Sequence, residues 1–250
     1  MSETPFHLNG KTILVTGASS GIGKQVAISA SKMGARIILT GRNSEALNDT
    51  LSQLSGNDHL IIQADLIKQN EREGLVQTIP SLDGLVYCAG VVKPFPIKFI
   101  DQLKIDETLN INYEVPVLLM AGILQKKKLN RDASLVFLSS IAGQHPYKGG
   151  SIYSGSKAAI ESFVKVLGME LSSQGIRANS LSPAMVKTPM YDKAASEISP
   201  EEMEKHVSTY PLGAGLPEDV ANAAVFLLSP ASRWITGINI TLDGGYLLRS

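Results

Sequence analysis

Short β-branched, apolar runs alternate along the chain with longer stretches in which apolar residues return every three or four positions. Lys11 to Thr16, Arg36 to Thr40, His59 to Gln63, Gly84 to Tyr87, Ala133 to Leu138, Ile176 to Leu181 and Gly237 to Leu242 read as seven strands. Helical periodicity fills the intervals. It covers Gly21 to Met33, with Ile22, Val26, Ala30 and Met33 near one face, then Ser44 to Leu54, a segment between the third and fourth strands, Leu109 to Gln125, and Ser151 to Ser172. Pro116 falls inside the Leu109 to Gln125 pattern and, lacking an N–H, predicts a kink or an irregular turn there. Strands that alternate with crossover helices make a parallel sheet, so the fold class is α/β.

Between Pro183 and Pro217 the rhythm breaks. The stretch is rich in Pro, Met and Tyr and has no strand pattern. Ser199, Pro200 and Glu202 supply an N-cap, a first helical residue and a capping-box acid, which predicts a short amphipathic helix. Such an insertion reads as a substrate lid, at about 185–215, and not as a second domain. No linker-like composition divides the chain, which predicts a single domain over 1–250.

Composition narrows the function. Of 250 residues, 44% are apolar and 18% charged, which excludes a disordered chain. Lys plus Arg (23) equals Asp plus Glu (23), so nothing points to nucleic acid or an anionic membrane as partner. No stretch approaches the ~18 consecutive apolar residues of a membrane span. Met1 to Phe6 lacks the basic-then-apolar order of a secretory signal, so a cytoplasmic location is expected. The single cysteine, Cys88, excludes an internal disulfide and a cysteine-based zinc cluster, and no metal site is expected.

Thr16-Gly17-Ala18-Ser19-Ser20-Gly21-Ile22-Gly23 joins the first strand to the first helix. Glycines there permit a tight turn and close approach to a pyrophosphate, while the helix N-terminus presents free N–H groups and a positive dipole end. A plain turn would use the same residues; the place between strand and helix is what singles out Gly17, Ser19, Ser20, Gly21, Ile22 and Gly23 as cofactor contacts. The 2′ position of a dinucleotide is read about 20 residues further on. Here Leu39-Thr40-Gly41-Arg42-Asn43 offers no acid, and Arg42 suits a 2′-phosphate. NADP(H) is therefore expected, with NAD(H) the alternative if Arg42 is only a solvated side chain. Asp65, after the third strand and beside Leu66, is a candidate polar contact to the adenine.

Tyr153 and Lys157 stand four apart in a helix and share a face. An ammonium beside a phenol lowers its pKa from about 10 toward working pH, which makes Tyr153 a usable general acid or base for alcohol–ketone interconversion. Alone, the pair is a common coincidence. Ser139-Ser140 gives it weight, because it ends the fifth strand and ligands bind at strand carboxyl ends in open α/β sheets. A serine hydroxyl there can donate to an oxygen whose charge changes. Asn112, in the kinked helix, can hold a water that links Lys157 to solvent.

In order and spacing, the glycine-rich turn, Asp65, Ala89-Gly90, Asn112, Ser139-Ser140, Tyr153 with Lys157, Ser182-Pro183, Thr188-Pro189, and Ile235-Thr236-Gly237 with Asp243-Gly244-Gly245 resemble the short-chain dehydrogenase/reductase family. The resemblance runs from Thr12 to Gly245, to the compact single-domain subtype, with 3-oxoacyl-reducing members among those it is similar to. It implies a doubly wound, Rossmann-type sheet of seven parallel strands with helices on both faces, and a homotetramer or homodimer. It also implies roles. Tyr153 would exchange the proton, Lys157 would bind the nicotinamide ribose, and Ser140, thirteen residues before the Tyr, would be the family's serine. Asn112 would hold the water, and Ala89, Gly90, Pro183, Val186 and Thr188 would contact the cofactor. The implied substrate is a small carbonyl or alcohol, a 3-oxoacyl group among the options. Enoyl reduction in this family usually lacks the serine and spaces Tyr and Lys more widely.

Three positions depart from the family pattern. Tyr87-Cys88 replaces a pair of asparagines, Ala184 replaces the glycine after Pro183, and Ser20 stands where an Arg often precedes the second glycine. They leave a non-catalytic dinucleotide sensor or scaffold as the alternative function. His145 is expected either to line the cleft or to face solvent, Lys126 to Lys128 to end a helix or dock an acidic carrier, and Trp234 to lie near a subunit interface.

Overall fold

A computed structural model of the chain describes residues 4–196 and 199–248. The elements run β1 (Thr12–Thr16), α1 (Gly21–Lys32), β2 (Arg36–Thr40), α2 (Ser44–Leu51), β3 (Leu60–Ile61), α3 (Gln69–Thr78), β4 (Leu82–Tyr87), α4 (Gln102–Leu109), α5 (Val115–Gln125), β5 (Leu129–Leu138), α6 (Ser151–Leu171), β6 (Arg177–Pro183), α7 (Pro189–Ser196), α8 (Pro200–Val207), α9 (Pro217–Leu228) and β7 (Asn239–Leu242). The strands form one parallel sheet in the order β3-β2-β1-β4-β5-β6-β7. The chain leaves β1 in one direction for β2 and β3, then returns to lay β4 on the other side. That reversal opens a crevice at the carboxyl ends of β1 and β4, where Thr16 stands level with Tyr87.

Alternation along the strands feeds two cores. Leu14, Leu85, Leu135 and Phe137 face α3, α5 and α6 through Leu75, Leu119, Ile123, Ile160 and Val164. Ile13, Val15, Val86 and Val136 face α1 and α9 through Val26, Ala30, Val220 and Ala224. Burial on both faces is why these strands read as nearly continuous apolar runs.

Four elements differ from the sequence expectation. The helix expected from Leu109 begins at Gln102 and is interrupted by a π-turn over Asn110–Glu114, where the Val115 N–H reaches the Asn110 carbonyl. The irregularity therefore lies just ahead of Pro116, which cannot offer an N–H to the carbonyl four residues before it. β3 is only two residues long, and α2 stops at Leu51. Helix α9 had no sequence expectation and packs on α1 across the second core. The α8 capping box forms as expected: Ser199 Oγ accepts the Glu202 N–H at 3.2 Å, and Glu202 Oε2 accepts the Ser199 N–H at 3.2 Å. No helix among the described residues is long and apolar enough to cross a membrane.

Candidate active site

A groove of about 630 Å3 occupies the crevice. It brings together Gly17, Ser19, Ser20, Gly21, Ile22, Gly23, Arg42, Asp65, Leu66, Ala89, Gly90 and Thr188 from the sequence-predicted set. The glycines are required by space. A Cβ on Gly23 would lie 2.3 Å from the Gly17 carbonyl oxygen, and Gly17 has φ 63° with its back against Ala89. Ser20 occupies the N-cap of α1 without making a side-chain cap, so the first N–H groups of the helix remain open to an anion. A glycine cradle and an uncapped helix end fit a dinucleotide pyrophosphate.

At the end of β2 a Cβ on Gly41 would sit in ordinary contact, 3.6 Å from Ser19 Oγ and 3.5 Å from Leu47 Cδ2, so the glycine leaves room there that a side chain would fill. Arg42 is exposed on the groove wall, its carbonyl held by Gln63 Nε2 at 2.8 Å. The Asp65 N–H donates to Glu71 Oε2 at 2.7 Å and its carboxylate accepts the Ile67 N–H at 3.3 Å.

The reactive side chains meet beyond Gly90. A Cβ there would lie 3.1 Å from Asn112 Oδ1 and 3.7 Å from Lys157 Nζ. Tyr153 and Lys157 are both buried near the start of α6, with Nζ 5.7 Å from the phenol ring centroid. Burial pushes the Tyr153 phenol up to about 12; a hydrogen bond from Ser140 works against that rise and the neighbouring Tyr147 phenol adds to it. The expected lowering by Lys157 is not found. Burial also brings Lys157 itself down to about 8, and its Nζ donates to the Leu138 carbonyl at 2.8 Å and not toward the phenol oxygen. A neutral phenol at pH 7 is a proton donor, the form that a carbonyl reduction needs.

Asn112 lies in the π-turn, and its side chain is already committed. Oδ1 accepts the Val91 N–H at 2.9 Å, while Nδ2 donates to the Val91 carbonyl at 2.9 Å and to Ser156 Oγ at 3.1 Å. The side chain thus braces the loop after β4 and is not free to hold the water expected of it, while Pro116 leaves the Asn112 backbone carbonyl without its α-helical donor. The Ile111 carbonyl receives the Tyr87 hydroxyl at 2.9 Å. Pro183 and Val186 do not line the groove. Pro183 is buried in β6, and Val186 packs into the second core, leaving its carbonyl to accept from Thr188 Oγ1 at 3.3 Å.

Burial pushes the Cys88 thiol up to about 12, which rules out a nucleophilic thiolate. Thr16 Oγ1 accepts the N–H groups of Cys88 and Ala89 at 3.1 and 3.2 Å and so ties the end of β4 to the end of β1. His145 and Trp234 are exposed, and Lys128 Nζ ties to the carbonyls of Gln77 and Ile79. Sequence reasoning missed Lys93 and Glu107, which line the groove and pair at 2.5 Å; Met190, which the lid reading offers as a pocket residue, lines it too. It also missed Glu161, four residues after Lys157 on the buried face of α6. An acid in an apolar stripe was the signal that would have found it.

A phosphate cradle at the switch point, with a buried Tyr-Lys pair and the half-buried Ser140 beside it, defines a dinucleotide-dependent oxidoreductase. A family model described as Enoyl-(Acyl carrier protein) reductase matches residues 17–247. The 3-oxoacyl-[acyl-carrier-protein] reductase FabG of Rickettsia felis is 35% identical over 243 residues, spanning 96% of this chain and 98% of that protein. L-xylulose reductase of Caenorhabditis elegans is 33% identical over 247 residues, spanning 96% and 97%. The solved structure of a short-chain type dehydrogenase/reductase from Mycobacterium ulcerans is similar with a TM-score of 0.87 at 30% identity, covering 97% of this chain and 92% of that one. The chain belongs to the short-chain dehydrogenase/reductase family, as an NAD(P)-dependent enzyme acting on alcohol or carbonyl groups.

Proposed function

We propose that the chain reduces a ketone to a secondary alcohol with NADPH, using Tyr153 as the proton donor. The observation that carries this reading is the buried Tyr153–Lys157 pair, with Lys157 Nζ 5.7 Å from the phenol ring centroid and 3.7 Å from where a Cβ on the groove residue Gly90 would lie. When bound, the reduced nicotinamide supplies hydride to the carbonyl carbon. Ser140 Oγ and the Tyr153 hydroxyl hold the carbonyl oxygen, and as charge builds there Tyr153 gives up its proton. Lys157, anchored on the Leu138 carbonyl, faces the ribose hydroxyls and steadies the phenolate that forms. A water on the Asn112 carbonyl reloads the pair from solvent. Thr188, on the groove wall, would hold the carboxamide, with Pro183 and Val186 shaping the segment behind it.

The preference for the 2′-phosphate rests on the space at Gly41, with Ser19 Oγ on one side and the Arg42 cation following it. The segment at about 185–215, with α7 and α8, closes over the substrate, and Met190 gives it an apolar edge. A 3-oxoacyl thioester suits the FabG likeness and a ketose suits the L-xylulose reductase likeness. The serine and the four-residue Tyr–Lys spacing favour the carbonyl over an enoyl double bond. The chain also assembles with copies of itself as a homotetramer, through apolar side chains left in solvent in two places: Ile97, Phe99 and Leu103 around the start of α4, and Met169, Trp234 and Ile238 where the end of α6 meets Thr236.

A panel of acetoacetyl-coenzyme A, L-xylulose and simple cyclic ketones, followed by NADPH absorbance and repeated with NADH, tests the reading. At least one carbonyl is consumed, with kcat/KM for NADPH at least tenfold above that for NADH. Binding of NADPH without turnover of any carbonyl would point instead to a dinucleotide sensor. Equal use of NADH would remove the Arg42 assignment alone.

A further inference from the structure

Glu161 is a buried carboxylate with no ion pair among the described residues; it is 8% exposed. A charge withdrawn from water is costly unless hydrogen bonds replace its hydration. Here neutral donors do so. Oε2 accepts from Gln144 Nε2 at 2.8 Å, and Oε1 lies within hydrogen-bond distance of Ser139 Oγ at 3.0 Å and Ser182 Oγ at 3.1 Å, hydroxyls that share their protons with the Lys157 carbonyl and Asn239 Oδ1. Two of these donors bracket one short segment. Ser139 stands immediately before Ser140, and Gln144 ends the 3-10 turn Ile141–Gly143 that Ser140 opens by accepting the Ala142 N–H. The turn is also pressed onto the carboxylate, since a Cβ on Gly143 would lie 2.9 Å from Glu161 Oε1 and 3.1 Å from the Ala158 N–H nitrogen. Glu161 lies one helical turn beyond Lys157 and two beyond Tyr153.

We propose that Glu161 is a positioning residue: it clamps the Ser140 turn from both sides onto the helix that carries Tyr153 and Lys157, and so fixes the serine hydroxyl relative to the phenol. The inference rests on the reading of Ser140 and Tyr153 given above. A carboxylate is the fitting group because both its oxygens accept. A glutamine keeps a single acceptor, so an N–H2 must face either Gln144 or the two serine hydroxyls, and one end of the clamp changes its partner. The chemistry thus dictates a specific rescue, in which Gln144→Glu restores the broken link with its polarity reversed.

The test uses the carbonyl that the wild-type chain reduces fastest in the panel. Glu161→Gln lowers kcat at least fivefold, while the dissociation constant for NADPH, from protein fluorescence, stays within twofold. The pair Glu161→Gln with Gln144→Glu returns kcat to within twofold of wild type. In a Ser140→Ala background, Glu161→Gln costs less than a further twofold, because its effect passes through Ser140. Wild-type kcat in Glu161→Gln, or losses that multiply in the Ser140→Ala background, overturns the proposal. Should Glu161→Gln not fold, Gln144→Ala removes the same link from an exposed side chain, and unchanged kcat there overturns it equally. Full activity in Ser140→Ala alone is a different failure, that of the underlying reading.

Discussion

Lys157 stands 6% exposed with its ammonium on one carbonyl and no carboxylate against it. Burial lowers it to about 8 from an ordinary 10.5. The shift corresponds to roughly 2–4 kcal/mol of penalty for holding the charge in the fold. Between those two values the unfolded chain binds more protons than the folded one, so this group's contribution to stability rises with pH there. Below about pH 8 the whole penalty is present. Lys157→Met is therefore expected to raise the thermal midpoint by several degrees at pH 7 while abolishing turnover, with the gain fading between pH 8 and 10.5. Calorimetry across that range checks it; a midpoint that falls at pH 7 contradicts the cost assigned to the cation. The same burial keeps Tyr153 protonated. Spacing in the sequence placed the two side chains together but carried no information about the dielectric around them, so the direction of the phenol shift was not legible there.

At the scale of elements, the strands were the most legible part, because β-branched runs buried on two faces have few other readings. The turn from Thr16 to Gly23 was legible for a related reason: three glycines between a strand and a helix need a structural cause, and the Gly23 contact with the Gly17 carbonyl supplies it. Helix α9 was hidden by Pro217, which reads as a breaker at the close of a Pro-rich stretch. In the fold Pro217 sits in the first helical turn, with Asp219 accepting the Leu216 N–H at 2.7 Å. Helix α4 was hidden by polarity. Gln102, Asp106 and Glu107 are exposed and only Thr108 is buried, so its start is set by the Asp101 cap on the Lys104 N–H and not by periodicity. Pro116 announced an irregularity, yet its position depended on where the unpaired carbonyls could find partners, and the Tyr87 hydroxyl that serves Ile111 comes from β4, far away in sequence.

For the whole molecule, the sheet order places the phosphate cradle and the proton donor on either side of Gly90, so a single strand end, that of β4, joins the cofactor groove to the chemistry. The apolar side chains left in solvent, Trp234 at 89% and Leu248 at 86% among them, are what the proposed assembly would cover. Light scattering at micromolar concentration is expected to give four times the 26.7 kDa chain mass. A monomer would contradict the assembly, and a dimer would leave one of the two places unexplained. Central to the whole account is Tyr153 as the group that delivers the proton. Turnover and NADPH affinity of Tyr153→Phe, measured on the same preparation, test that most directly. The expected result is NADPH affinity within twofold of wild type with kcat lowered by about 100-fold or more, since the ring is kept and only the acid is removed. Turnover equal to wild type with intact cofactor binding would contradict the account.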